Sequence, residues 1–194
     1  MSPISHLLAS WLTAEAAGLE RRDRALVTIA GIAADFDGLG YLAEAMTSES
    51  AEPLLWYSRW HHVLGHNLAF AVILGAACAA LGASRLRAAL TSLLAFHLHL
   101  LYDVVGSKGP DGDHLPIAYL YPFSFGWQLE WSGQWELNAW PNVLFAAVLL
   151  GLSLFCAWSR ARSPVELFSA RADGLLTAAL RRRWPRPVFT PSEP

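Results

Sequence analysis

The chain has 194 residues, of which 54% are hydrophobic and only 15% charged, with a mean hydropathy of +0.32. An ordinary soluble domain carries roughly 25% charged residues, so the composition excludes that class and points to a membrane protein of about one domain. The net charge of −2 at pH 7 gives no ground for a nucleic-acid partner, and none is expected; the information lies in where the arginines sit.

The opening "MSPISHLLASWLTAEAAGLERRDR" has no basic residue before its short apolar part, so no cleavable signal peptide is expected. Two short helices are predicted, His6 to about Leu19 and about Ala25 to Asp35, joined by "ERRDR". Each falls short of the roughly 20 residues of a span, which makes a re-entrant or tilted hairpin as reasonable as two crossings. "TSESAEP", from Thr47 to Pro53, reads as a loop.

Three segments read as full spans. Val63 to Gly82 contains no Asp, Glu, Lys or Arg. Leu86 to Gly106 is similar in length but carries His97, His99 and Asp103 toward its end. Ala139 to Ser159 is flanked by Trp140 and Trp158 as interface anchors. The expected fold is therefore all-α: a polytopic helical bundle with three transmembrane helices and an N-terminal helical hairpin. Between the last two spans, Gly106 to Asn142 is a loop dense in Gly, Pro and Trp, which reads as a cap on the membrane interface. Residues 1–159 then form the membrane domain. Residues 160–194 form a basic amphipathic interfacial helix and a disordered Pro-rich tail. Cys78 and Cys156 sit in apolar stretches and are expected to pack rather than pair.

Arg21, Arg22, Arg24, Arg85, Arg87 and the arginines from Arg160 onward fall on one side of such spans, leaving Arg59 and Lys108 opposite. The positive-inside rule makes the basic side cytoplasmic and turns the other face outward.

That outward face gathers ionisable groups where hydrocarbon penalises them, which by itself argues for function. His99 and Asp103 are four apart on one helix face, as are His62 and His66 if the preceding helix extends over them. Asp35 and Asp37 stand where a helix gives way to glycine in "GIAADFDGLG", and His6 stands at a helix start. Imidazoles and carboxylates drawn from several helices are the ligand chemistry of zinc or a similar divalent ion, and more than four ligands would suit two ions. Each member also has a plainer reading, since an isolated histidine on an apolar face is usually a satisfied core residue. His97 points away from His99 and takes that reading. Asp111, Asp113 and His114, in the turn-like "GPDGDHLP", are expected to serve the loop.

In this order, the Ser-His start, the Asp-x-Asp, the histidine motif "HHVLGHN" and His-x-x-x-Asp resemble the bacterial inner-membrane metal-dependent hydrolases described as LexA-binding membrane-associated hydrolases. That family is distantly similar to zinc phospholipase C and P1-type nucleases. The resemblance runs from about Ser5 to Pro116. It implies His6, Asp35, Asp37, His61, His66, His99 and Asp103 as site residues. His62 stands where the family has arginine, and Asn67 where it has serine. A fixed guanidinium is the natural clamp for phosphate, and that position here lacks one. Helical spacing selects His62 as the partner of His66, whereas the resemblance selects His61. No residue here points to contact with LexA.

The function expected is metal-dependent hydrolysis of a phosphoester or related lipid-like substrate, with Asp35 or Asp37 as proton acceptor and membrane lipid as surroundings. The alternatives are a haem- or metal-binding protein without activity, with His97 or His99 paired to His62 or His66, and a small transporter or proton relay.

Overall fold

The computed structural model describes residues 2–109, 112 and 114–185. Asp111, Asp113 and most of the Pro-rich end, for which loop and disordered readings were expected, lie outside the described residues. The structure is all-α, with isolated β-bridges but no strand among the described residues. Its helices are α1 (Pro3–Ala16), α2 (Arg21–Ile32), α3 (Gly40–Thr47), α4 (Trp56–Trp60), α5 (Leu68–Leu81), α6 (Arg85–Gly106), α7 (Trp140–Arg160) and α8 (Ala170–Arg183), with 3-10 turns at Ala33–Leu39 and Pro164–Leu167.

Three helical stretches are long and apolar enough to cross a membrane: Arg21–Thr47, Arg85–Gly106 and Trp140–Arg160. The last two are expected spans. The first is not. Asp35 and Asp37 do not end the second helix of the hairpin; the chain tightens into a 3-10 segment there and continues as α3, giving 27 helical residues. Conversely, the segment expected to span from Val63 shortens to the 14 residues of α5, because Asn67 caps its start, its Oδ1 accepting the Phe70 N–H at 2.8 Å. At 1.5 Å rise per residue α5 covers about 21 Å, short of a bilayer core of about 30 Å.

The chain packs as two units, Met1–Ala146 and Ala147–Pro194. In the first, α6 lies against α1, α2 and α5. Small side chains permit this approach: Ala14 meets Ala95, Ala30 meets Cys78 and Ala88, and Ala34 and Ala71 pack with Phe96, Leu100 and Ile117. Close helix contact through small residues is the usual solution where no hydrophobic force drives helices together. Val72, Ile73, Leu86, Leu90, Leu94 and Leu101 remain on the outside, as a lipid-facing surface requires. Cys78 and Cys156 form no disulfide.

Polar contacts fix the relative register of these helices. Arg24 and Glu15 are both buried and approach to 3.5 Å, tying α2 to α1. The buried Asp23 carboxylate accepts the Ala83 and Ser84 N–H groups, each at 2.8 Å, and so joins the beginning of α2 to the beginning of α6. Arg87 donates to the Ala17 carbonyl at the same end. The arginines around residues 21–24 and 85–87 thus share one end of this unit.

The loop after α6 folds back on it. Ile117 and Leu129 exchange backbone hydrogen bonds at 2.9 Å, and Ile117 is fully buried. Gln134 donates to the Asp103 carbonyl at 2.8 Å, and Asn142 to that of Gly106 at 2.8 Å. In the second unit, Arg181 of α8 donates to the Trp158 and Ser159 carbonyls at the end of α7, at 2.8 and 3.0 Å, and Asp173 accepts from the Ser163 N–H and hydroxyl.

The α2–α6 tie leads to a stability prediction. Asp23→Ala leaves two backbone donors without their charged acceptor and should cost about 2 kcal/mol or more, read as a lowered unfolding midpoint in detergent micelles.

Candidate metal centre

Asp103, in the last turn of α6, lies at the end of the first unit opposite the arginines. Its carboxylate is buried and gathers groups from several segments. Oδ1 accepts the Ser107 hydroxyl at 2.7 Å and stands 3.1 Å from His6 Nε2. Oδ2 is 3.0 Å from His99 Nε2, one helical turn earlier, and 3.6 Å from His66 Nε2. His6 and His99 stack with ring centroids 3.8 Å apart.

The 3-10 segment brings in the other two carboxylates. Asp35 Oδ1 is 3.5 Å from His99 Nε2 and 3.9 Å from His66 Nε2. Asp37 is turned differently. Its Oδ1 accepts from His61 Nδ1 at 2.8 Å, and its Oδ2 from His66 Nδ1 and from the Gly65 N–H, both at 3.0 Å. The close approach that makes the last bond possible requires glycine, since a Cβ at Gly65 would come within 2.2 Å of the Ala34 carbonyl oxygen.

The histidine motif is not helical over its length, contrary to the expected extension over His62 and His66. Residues 61–67 form turns between α4 and α5, and His62 takes φ 65°, in the left-handed region that histidine enters more readily than bulkier side chains. This reversal lets three histidines meet one region without helical spacing. His61 goes to Asp37. His62 donates through Nδ1 to the Leu115 carbonyl at 3.3 Å, leaving Nε2 bare, and forms with His66 and Asp103 one group able to hold a metal. Burial pushes the His62 pKa down to about 3, helped by the neighbouring His66, so the ring stays neutral. The loop after α6 closes over this turn, with the Ala118 N–H donating to the His62 carbonyl at 3.2 Å.

The donor set fits a divalent ion. Bonds of 2.0–2.1 Å to N or O in a tetrahedral site put neighbouring ligand atoms about 3.3 Å apart. His66 Nε2 and His99 Nε2 are 3.3 Å apart, and each lies 3.0–3.9 Å from Asp35 Oδ1 and Asp103 Oδ2. His66 meets Asp37 through Nδ1 while its Nε2 faces Asp103 Oδ2 and Asp35 Oδ1, so one ring nitrogen serves a supporting carboxylate and the other is placed to bind an ion shared with the two aspartates. His6, Asp35, His99 and Asp103 form a second such group, and Asp37, His61 and His66 a third. His6 Nδ1, His99 Nδ1 and Asp35 Oδ2 are buried without hydrogen bonds.

His97 faces away from this cluster. Its Nδ1 donates to the Leu93 carbonyl at 2.7 Å and its Nε2 accepts the Tyr119 hydroxyl at 2.8 Å. His114 is exposed. A cavity of about 130 Å³ reaches the cluster, its lining including Asp35, His61, His62 and Asp103 together with Tyr57, Lys108, Leu115 and Leu137. Of these, sequence reasoning missed Lys108 and Tyr57; nothing local marks either.

The family model described as YdjM inner membrane protein matches residues 1–180. The chain belongs to that family. It is thus an inner-membrane protein, in keeping with its three candidate spans. No curated protein matches the chain, and no solved structure does.

The state of His62 can be read directly. In the metal-free protein its imidazole should keep neutral NMR shifts between about pH 5 and 8, where an unperturbed histidine titrates. Because the unfolded chain binds that proton and the folded chain does not, His62 should subtract stability as pH falls below about 6.5.

Proposed function

We propose that this YdjM-family protein is a membrane-embedded metal-dependent hydrolase acting on a phosphoester or related lipid-like substrate. The observation that carries the reading is the group His6, Asp35, His99 and Asp103, whose ligand atoms lie within 4.8 Å of one another, with His66 Nε2 3.3 Å from His99 Nε2 and a cavity bordering Asp35 and Asp103. Zinc suits these ligands, and His62 and His66, which group with Asp103, extend the set far enough for a second ion.

A divalent ion there would supply Lewis acidity and lower the pKa of water beside it toward neutrality. The residues divide the remaining work. Asp37 orients His66 through Nδ1, the carboxylate-to-histidine support that ligating imidazoles commonly use. Asp35 lines the cavity, retains 21% side-chain exposure and keeps Oδ2 without a hydrogen-bond partner, which makes it the better proton acceptor of the two aspartates. The cavity argues for an accessible site over a closed structural one. Haem fits poorly: with His66 and His99 Nε2 atoms 3.3 Å apart there is no room for a porphyrin plane between them, and both nitrogens of His97 are engaged. By the positive-inside rule, the shared end of Arg21–Arg24 and Arg85–Arg87 faces the cytoplasm and the site faces the periplasm.

The detergent-purified protein should contain a divalent metal by elemental analysis and should hydrolyse at least one member of a broad phosphoester panel. Asp103→Asn should lose both while keeping its helical circular dichroism, and Asp37→Ala should weaken metal binding by roughly 10–100-fold. A metal-loaded protein that cleaves no phosphoester, amide or ester, and whose asparagine variant differs only in stability, would make the site structural. Absence of metal would favour a proton relay.

A further inference from the structure

We propose that Lys108 is the substrate-binding cation of this site and that the group it holds is a phosphoryl group, an inference that rests on the hydrolase reading above. Lys108 is the only lysine in the chain. It is also the only Lys or Arg among the described residues lining the cavity that reaches Asp35 and Asp103.

The cavity volume limits what enters. At about 130 Å³ the cavity is small, of a size that suits a compact group such as phosphoryl. Charge decides what is welcome. Two carboxylates in the lining repel an anion, and a divalent ion in the cluster together with the Lys108 ammonium would reverse that sign. The loop holds Lys108 in place through its backbone: its N–H donates to the Trp135 carbonyl at 3.1 Å, and its carbonyl accepts the Leu137 N–H at 3.3 Å. The Lys108–Glu136 bridge pins the same stretch, directly after α6. A compact ammonium on a flexible stem suits phosphate as a point charge. Tyr57, Leu115 and Leu137 are also in the lining.

A single lysine makes the test direct. Reductive methylation with ¹³C-formaldehyde keeps the charge and labels one side chain, its signal assigned by its loss in Lys108→Arg. The metal-loaded full chain in detergent is titrated with inorganic phosphate and, in parallel, with dihexanoyl phosphatidic acid, both by NMR and by calorimetry. The methyl-lysine signal should move with either ligand and not with chloride. A shift with the lipid alone would also support the proposal and assign a membrane phospholipid, and a shift with phosphate alone a soluble ester.

By calorimetry, Lys108→Ala should weaken binding by about tenfold or more and Lys108→Arg should recover it to within about threefold, with bound metal unchanged in both. Metal-loaded protein whose lysine signal ignores both ligands, or whose alanine variant binds them unchanged, overturns the inference and leaves the metal reading standing. If the native chain takes up no divalent metal, the hydrolase reading fails and this inference falls with it. Should Lys108→Ala not fold, the lysine signal and the arginine variant decide.

Discussion

Burying the Asp103 carboxylate in the last turn of α6 is the constraint around which the first unit is arranged. An isolated buried carboxylate costs several kcal/mol, and it persists only where partners offset its lost hydration. Here they come from both directions along the chain. Ser107 and His99 lie one turn away on the same helix, His6 reaches in from α1, and His66 comes from the turn before α5. Each partner demands that its own segment be near α6, and so the same contacts that satisfy one charge also hold α1 and the turn before α5 against that helix.

The two ends of this unit are built for different purposes. At the arginine end, charges are matched singly and closed off: Asp23 by two backbone N–H groups, and Glu15 by Arg24. At the other end, three carboxylates and five histidines share partners, and several of their atoms stay unsatisfied. A buried network that is only partly satisfied destabilises the protein unless something else completes it. A divalent ion is the simplest completion for lone pairs that converge at these distances.

Geometry also separates roles that chemistry alone leaves equal. Asp35 and Asp37 are two residues apart in the same 3-10 segment, yet Asp37 spends both oxygens on His61, His66 and the Gly65 N–H, while Asp35 turns toward His99 and the cavity. His61 and His62 diverge in the same way. One supports a carboxylate; the other sits neutral beneath Leu115 with a free ring nitrogen.

Composition and hydropathy determined that the chain is a helical membrane protein, because burying apolar length in lipid needs only the count of residues without charge. The spacing of His99 and Asp103 on one helix face was legible because helical periodicity is local, whereas the same spacing misread His62 and His66, which meet the cluster from a turn. Span boundaries were not legible in the same way. Hydropathy reads "VLGHN" as part of an apolar run, whereas Asn67 turns inward to cap α5, and the two aspartates that look like a helix end are carried within a continuous helix once their charges find partners. Only the tertiary structure decided which oxygen of each aspartate faces which ring, and that Lys108 comes to a cavity beside residues some 70 positions earlier. Those outcomes depend on how the loop after α6 folds back, through hydrogen bonds between residues far apart in the chain, and no local pattern encodes them.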